Sequence, residues 1–134
     1  MNFQLQYAWT SLVTILAILM YLVIGINVGR TRTKHKIFPP ATTGHPEVER
    51  AFRAHQNTLE ALIMFLPLLW IFSIYLSSFY GMILGFVWII GRIAFAVGYT
   101  IEANKRFVGF AISVTVIFVY LIGSLIAVIK EIIN

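Results

Sequence analysis

The sequence predicts an all-α integral membrane protein, a bundle of four transmembrane helices in which residues 1–134 form one domain. Three observations carry that expectation. The 134 residues are 60% hydrophobic and only 11% charged, whereas a soluble domain is nearer half apolar and a quarter charged. The apolar residues fall into four runs whose lengths suit helices crossing a hydrocarbon core about 30 Å thick. Most of the charged residues are gathered between those runs or at their ends.

The first run extends from Tyr7 to Val28, roughly 22 residues against the about 20 that a spanning helix needs. Met1 to Gln6 has no basic side chain and the run is longer than a secretory signal core, so a retained helix is expected. The second helix is expected at about 47–76. Its apolar part covers only Ala61 to Leu76, but helix-compatible sequence reaches back to Pro46-Glu47, a favourable helix opening. Its polar first turns are expected at or beyond the membrane surface, and Pro67 removes one backbone donor within the apolar part. The third helix is expected at 80–101. The fourth, at 107–129, is rich in Val and Ile but too long for a strand.

Between the first two helices lies Arg30-Thr31-Arg32-Thr33-Lys34-His35-Lys36, followed by a Pro- and Gly-containing loop from Phe38 to Pro46. Lys105-Arg106 separates the third and fourth helices. If all four helices span, both cationic segments share one side, and the positive-inside rule makes that side cytoplasmic, with both termini opposite. The expected location is a bacterial inner membrane or the endoplasmic reticulum. The net charge of +5 is dispersed among apolar runs, which argues against nucleic-acid binding. There is no cysteine, so any thiol chemistry must use a thiol on the substrate.

Ionisable residues inside a span cost about 2.5–3.5 kcal/mol each on the insertion scale and tend to face the bundle interior. At 100° per residue, Arg50, Arg53, Asn57 and Glu60 fall within an arc of about 80° on the second helix; Gln56 borders it and His55 points elsewhere. Such a stripe suits a ligand carrying a carboxylate and amide or ammonium groups. It equally suits a structural network in which Arg53 and Glu60 neutralise each other. On the third helix Arg92, Phe95 and Tyr99 share a face. Arg92 is either a ligand contact or a buried cation satisfied by Glu60 or a carbonyl, and Tyr99 is either a ligand contact or an interfacial anchor. Asn27 and Arg30 share a face on the first helix, where Arg30 can snorkel to the surface. His35, His45 and His55 are evenly spaced, but no carboxylate joins them at helical zinc spacing, and no metal site is expected. Gly81 and Gly85 fit close helix packing.

The segment Glu49-Arg50-Ala51-Phe52-Arg53-Ala54-His55-Gln56-Asn57-Thr58-Leu59-Glu60 resembles the signature of the MAPEG family, the membrane-associated proteins in eicosanoid and glutathione metabolism. Its core, Arg-Ala-His-x-Asn-x-x-Glu, is matched at each specified position. Gly91-Arg92-Ile93-Ala94-Phe95-Ala96-Val97-Gly98-Tyr99 is similar to the family's third-helix pattern. The resemblance covers essentially the whole chain and implies a homotrimer that binds glutathione as co-substrate between adjacent subunits, near the cytoplasmic side. It implies glutathione contacts from Arg53, Asn57 and Glu60, helped by Tyr99 and Arg30, and a thiol-activating role for Arg106; Arg92 joins them as a candidate glutathione contact from its own mid-span position. Gln56 and Phe95 depart from prostaglandin E synthase-like members, which have arginine and histidine there.

The expected function is therefore that of a microsomal-type glutathione transferase acting in detoxification. It would conjugate glutathione to lipophilic electrophiles, with lipid hydroperoxide reduction open to the same thiolate. The alternative within the family is a non-catalytic lipid-binding or scaffold protein. A small multidrug exporter also has four short helices, but those carriers have a membrane-embedded glutamate in the first helix and Leu12 to Val28 contains none.

Overall fold

The structure, a computed structural model, describes residues 2–134. Four long helices follow one another: α1 at Phe3–His35, α2 at Pro46–Tyr75, α3 at Ser78–Ile101 and α4 at Phe107–Ile133. A 3-10 turn at Ala103–Arg106 leads directly into α4. All four helices are long and apolar enough to cross a membrane.

The helices end where local chemistry stops them. The oxygen of Asn2 accepts the Gln4 amide and opens α1, and Ser77 does the same for the Tyr80 amide at α3. At α2 the ring of His45 accepts the Glu47 amide at 3.2 Å, with Pro46 at the first helical position. α2 runs on through Pro67.

The first helix is longer than the sequence implied. Arg30–Lys36 was expected as part of a connection, yet α1 continues to His35. Nothing between Arg30 and His35 breaks a helix, so the fall in hydropathy marks the membrane edge rather than the helix end. Lys36, in the left-handed region at φ 56°, terminates it. Arg32 then pins the loop, donating from Nη1 to the Ala41 carbonyl at 2.6 Å.

α2 and α3 form the centre of the bundle, each packing on the other and on both α1 and α4. Val13, Ala17, Leu62, Phe65, Leu69, Trp88, Val116 and Tyr120 fill the core. Phe65 stacks on Trp88 with centroids 3.8 Å apart, and the Tyr120 hydroxyl donates to the Gly81 carbonyl at 2.6 Å. Gly81 and Gly85 both lie at close helix approaches, against Ser73 and Val13 respectively. Large apolar side chains such as Ile26, Ile63, Ile90 and Val108 point outward, the distribution expected of a protein dissolved in lipid.

One end of the bundle gathers the polar residues. The Arg50 guanidinium donates to the Thr100 carbonyl, tying the start of α2 to the end of α3. Lys34 and His35, at the end of α1, both reach Glu47 in the polar first turn of α2. These contacts, through the His35 and Lys34 side chains, hold the Glu47 carboxyl well below the usual carboxylate range. The end of α1, the start of α2 and the end of α3 are therefore neighbours, which puts both cationic segments at the same end of the bundle.

Candidate functional site

The polar stripe of α2 opens at this end. Arg53 and Glu60 are exposed and Asn57 is half-buried, while Ala54 and Thr58 on the inner side of the helix are buried. Arg53 and Asn57 meet Tyr99 from α3 and Arg106 from the 3-10 turn around an open cleft of about 290 Å³. Phe95, Phe107 and Phe110 complete its walls. Four of the residues singled out in the sequence thus come together from three separate elements.

Arg106 is held by its surroundings. Its Nη1 donates to the Ala103 carbonyl at 2.8 Å, and its guanidinium carbon lies 5.1 Å from the Tyr99 ring centroid and 5.2 Å from that of Phe107. Both distances fall within reach of a cation–π attraction. The turn can approach α3 because residue 98 is glycine: a Cβ there would collide with the Lys105 carbonyl. Gly98 therefore allows the turn that carries Arg106 to lie beside Tyr99.

Arg92 is nearly wholly buried, 1% exposed. Its Nη2 donates to Asn57 Oδ1 at 3.1 Å and to Thr58 Oγ1 at 2.7 Å, and its guanidinium lies over the Phe95 ring at 4.0 Å. Of the partners the sequence offered, Glu60 takes no part; the side-chain carbonyl of Asn57 accepts, together with the Thr58 hydroxyl. Arg92 thus acts on the cleft through Asn57, whose amide it fixes with the oxygen pointing inward. Among the described residues, neither Arg53 nor Glu60 has an ion-pair partner within the chain, so the stripe does not neutralise itself.

Glu60 and Arg92 border a second cavity of about 350 Å³ with almost entirely apolar walls, including Met64, Trp88, Ile117 and Leu121. Asn57 and Phe110 line both spaces, so the polar cleft and the apolar cavity share a seam. Arg30 lies apart from both. With Asn27, Thr31 and Thr100 it lines a third cavity, of about 300 Å³, between α1, α2 and α3.

Three contributors escaped the sequence reading: Thr58, Phe110 and Phe107, the last named only as a helix start although it adjoins Arg106. Thr58 lies off the polar stripe, and no periodicity links it to Arg92 on another helix. Phe110 was detectable, because it follows Arg106 by four residues and so shares its face on a continuous helix.

Four long apolar helices, with an open polar cleft that shares Asn57 and Phe110 with an apolar cavity, define a four-helix membrane protein. The MAPEG family model matches residues 10–126, and the chain belongs to that family. It is 46% identical over 126 residues to an uncharacterised protein of Synechocystis sp., covering 94% of this chain and 92% of that protein. It is 39% identical over 105 residues to microsomal glutathione S-transferase 2 of Homo sapiens, covering 78% and 71% of the two chains. Leukotriene C4 synthase of Cavia porcellus is 34% identical over 101 residues, covering 75% and 67%.

Proposed function

We propose that the protein is a membrane-bound glutathione transferase that conjugates the glutathione thiolate to lipophilic electrophiles. The observation that carries this reading is the convergence of Arg53, Asn57, Tyr99 and Arg106 on one open cleft beside an apolar cavity. Relatives named as a glutathione S-transferase and a leukotriene C4 synthase support it. Arg53 would hold a glutathione carboxylate through charge-assisted hydrogen bonds, Asn57 an amide, Tyr99 a polar group of the backbone, and Glu60 the ammonium. Arg92 serves as a positioning residue for Asn57.

Arg106 would stabilise the thiolate. Lowering a thiol from its free pKa of about 8.5 by two units takes about 2.7 kcal/mol. One cation about 4 Å away, at an effective dielectric near 20, offers up to roughly 4 kcal/mol before desolvation offsets part of it. The thiol proton leaves to solvent; the sulfur attacks the electrophilic carbon, a C–S bond forms, and the leaving group departs with its electron pair. The same thiolate can attack a lipid hydroperoxide, giving the alcohol and a sulfenic acid that a second glutathione converts to the disulfide and water.

The cleft of one chain is at the small end of the roughly 300–1,000 Å³ usual for ligand pockets and is open on one side. A homotrimer whose neighbouring copy closes it, bringing Arg30 against Arg53, fits that openness. Detoxification at the cytoplasmic face of a bacterial inner or endoplasmic reticulum membrane is the role that follows.

The test is to mix purified protein, glutathione and a chlorinated dinitroaromatic and follow thioether absorbance. No product, together with no heat of glutathione binding, would rule the reading out. Arg53→Ala is expected to raise KM for glutathione about tenfold, the loss of about 1.4 kcal/mol, while kcat stays within about threefold. A fall in kcat at constant KM would remove Arg53 from the binding role.

A further inference from the structure

Away from the cleft, on the loop side of the same end, His35, His45 and Glu47 form a cluster that the proposed chemistry does not use. His35 Nε2 lies 2.6 Å from Glu47 Oε2. The two imidazoles stack with centroids 3.5 Å apart and planes within 15°. A donor atom from each of the three side chains lies within 4.8 Å of the other two, and all three residues are partly buried. They come from the last residue of α1, the residue that caps α2, and the first turn of α2.

We propose that His35, His45 and Glu47 form a binding site for a borderline divalent transition-metal ion, zinc foremost, that ties the end of α1 to the start of α2. Two imidazoles and one carboxylate are the N and O donors that zinc accepts with a fourth position left to water. Magnesium and calcium prefer all-oxygen sets and fit this one poorly. A tetrahedral ion with bonds of about 2.1 Å spaces its ligands about 3.4 Å apart, so the donors, within 4.8 Å of one another, must draw in slightly and the stacked rings must turn until both in-plane lone pairs converge on the ion. The backbone is already set, because His35 and Glu47 are held together by their own hydrogen bond.

Binding displaces two existing interactions. The proton shared between His35 and Glu47 leaves to solvent as the metal takes its place. The His45 ring gives up the Glu47 amide, either because its Nδ1 becomes the ligand or because its ring proton moves there. Lys34 is the competitor within the chain: its ammonium sits 3.0 Å from the same Glu47 oxygen, on a side chain 62% exposed and free to swing away.

The experiment is a zinc titration by calorimetry on metal-stripped, untagged full-length protein in detergent, repeated with cobalt and read by the intensity of its d–d absorption. One zinc per chain is expected, with a tetrahedral cobalt spectrum and no competition from excess magnesium. His45→Asn removes the imidazole but keeps a preferred helix N-cap, and His35→Gln retains a polar partner for Glu47. Each should weaken zinc binding at least as much as the roughly 10–100-fold that losing an outer-shell partner costs a metal site. Lys34→Gln should tighten it several-fold, and His55→Gln should leave the stoichiometry unchanged. Binding that survives both His35→Gln and His45→Asn, binding that disappears with His55→Gln, or no binding above the detergent blank would overturn the proposal.

Discussion

In Arg106→Ala, the thiolate of bound glutathione is expected to fall about fiftyfold at pH 6.5, read by its near-ultraviolet absorbance, and the pH profile of turnover to move up by about two units. The sign follows from the direction of the shift. The cation lowers the thiol pKa, so its benefit is present below the free thiol value of about 8.5 and disappears as pH rises past it. Turnover falls less than the thiolate population, because a less basic thiolate is a weaker nucleophile. With a Brønsted slope of about 0.4–0.5, two units return about eightfold, leaving roughly a sixfold loss of rate at pH 6.5. Arg106 suits this task because Ala103, Tyr99 and Phe107 hold its guanidinium in place before any ligand arrives, so little ordering remains to be done on binding. An unshifted profile with a raised KM for glutathione would assign Arg106 to binding alone.

The helices of this chain were legible because hydropathy and helical period act within one element. Residues Ala61 to Leu76 and Phe107 to Ile129 announce spans by composition, and the 100° rule placed Arg53, Asn57 and Glu60 on a common side of α2. What the sequence hid lies between elements or at their ends. Arg30–His35 read as a connection because polarity ends the apolar run, although the helix itself ends only at Lys36. Arg92 pairs with Thr58, 34 positions earlier in the chain, and no spacing rule spans a turn between two helices. His35 and His45 resembled isolated loop histidines until the convergence of α1 and α2 set them face to face above Glu47. Arg30 illustrates the other limit: the face it shares with Asn27 on α1 was legible, but in one chain it lines a cavity of its own, so any part in glutathione binding depends on how copies assemble.

Gly109→Ala is the second change with a large expected effect, and its sign is diagnostic. Alanine is favoured over glycine in a helix interior by about 0.8–1.0 kcal/mol, so an unobstructed site would gain stability. At residue 109, however, a Cβ would run into the Phe95 amide nitrogen, the Phe95 Cα and the Gly91 carbonyl oxygen, all backbone atoms of α3. No rotamer change relieves a collision with backbone; the two helices must separate. Overpacking typically costs about 1–3 kcal/mol or more, which exceeds the propensity gain, and the detergent-solubilised variant should melt at a lower temperature than the parent. The separation also moves Arg106, three residues earlier in the 3-10 turn that leads into α4, away from Tyr99, so thiolate formation should fall with stability. Val108→Leu provides the contrast. That neighbouring side chain is 71% exposed and faces outward, and enlarging it should alter neither property. If Gly109→Ala were as stable and as active as the parent, the α3–α4 crossing at Gly109 would not set the position of Arg106, which would rest on the 3-10 turn and Gly98 alone.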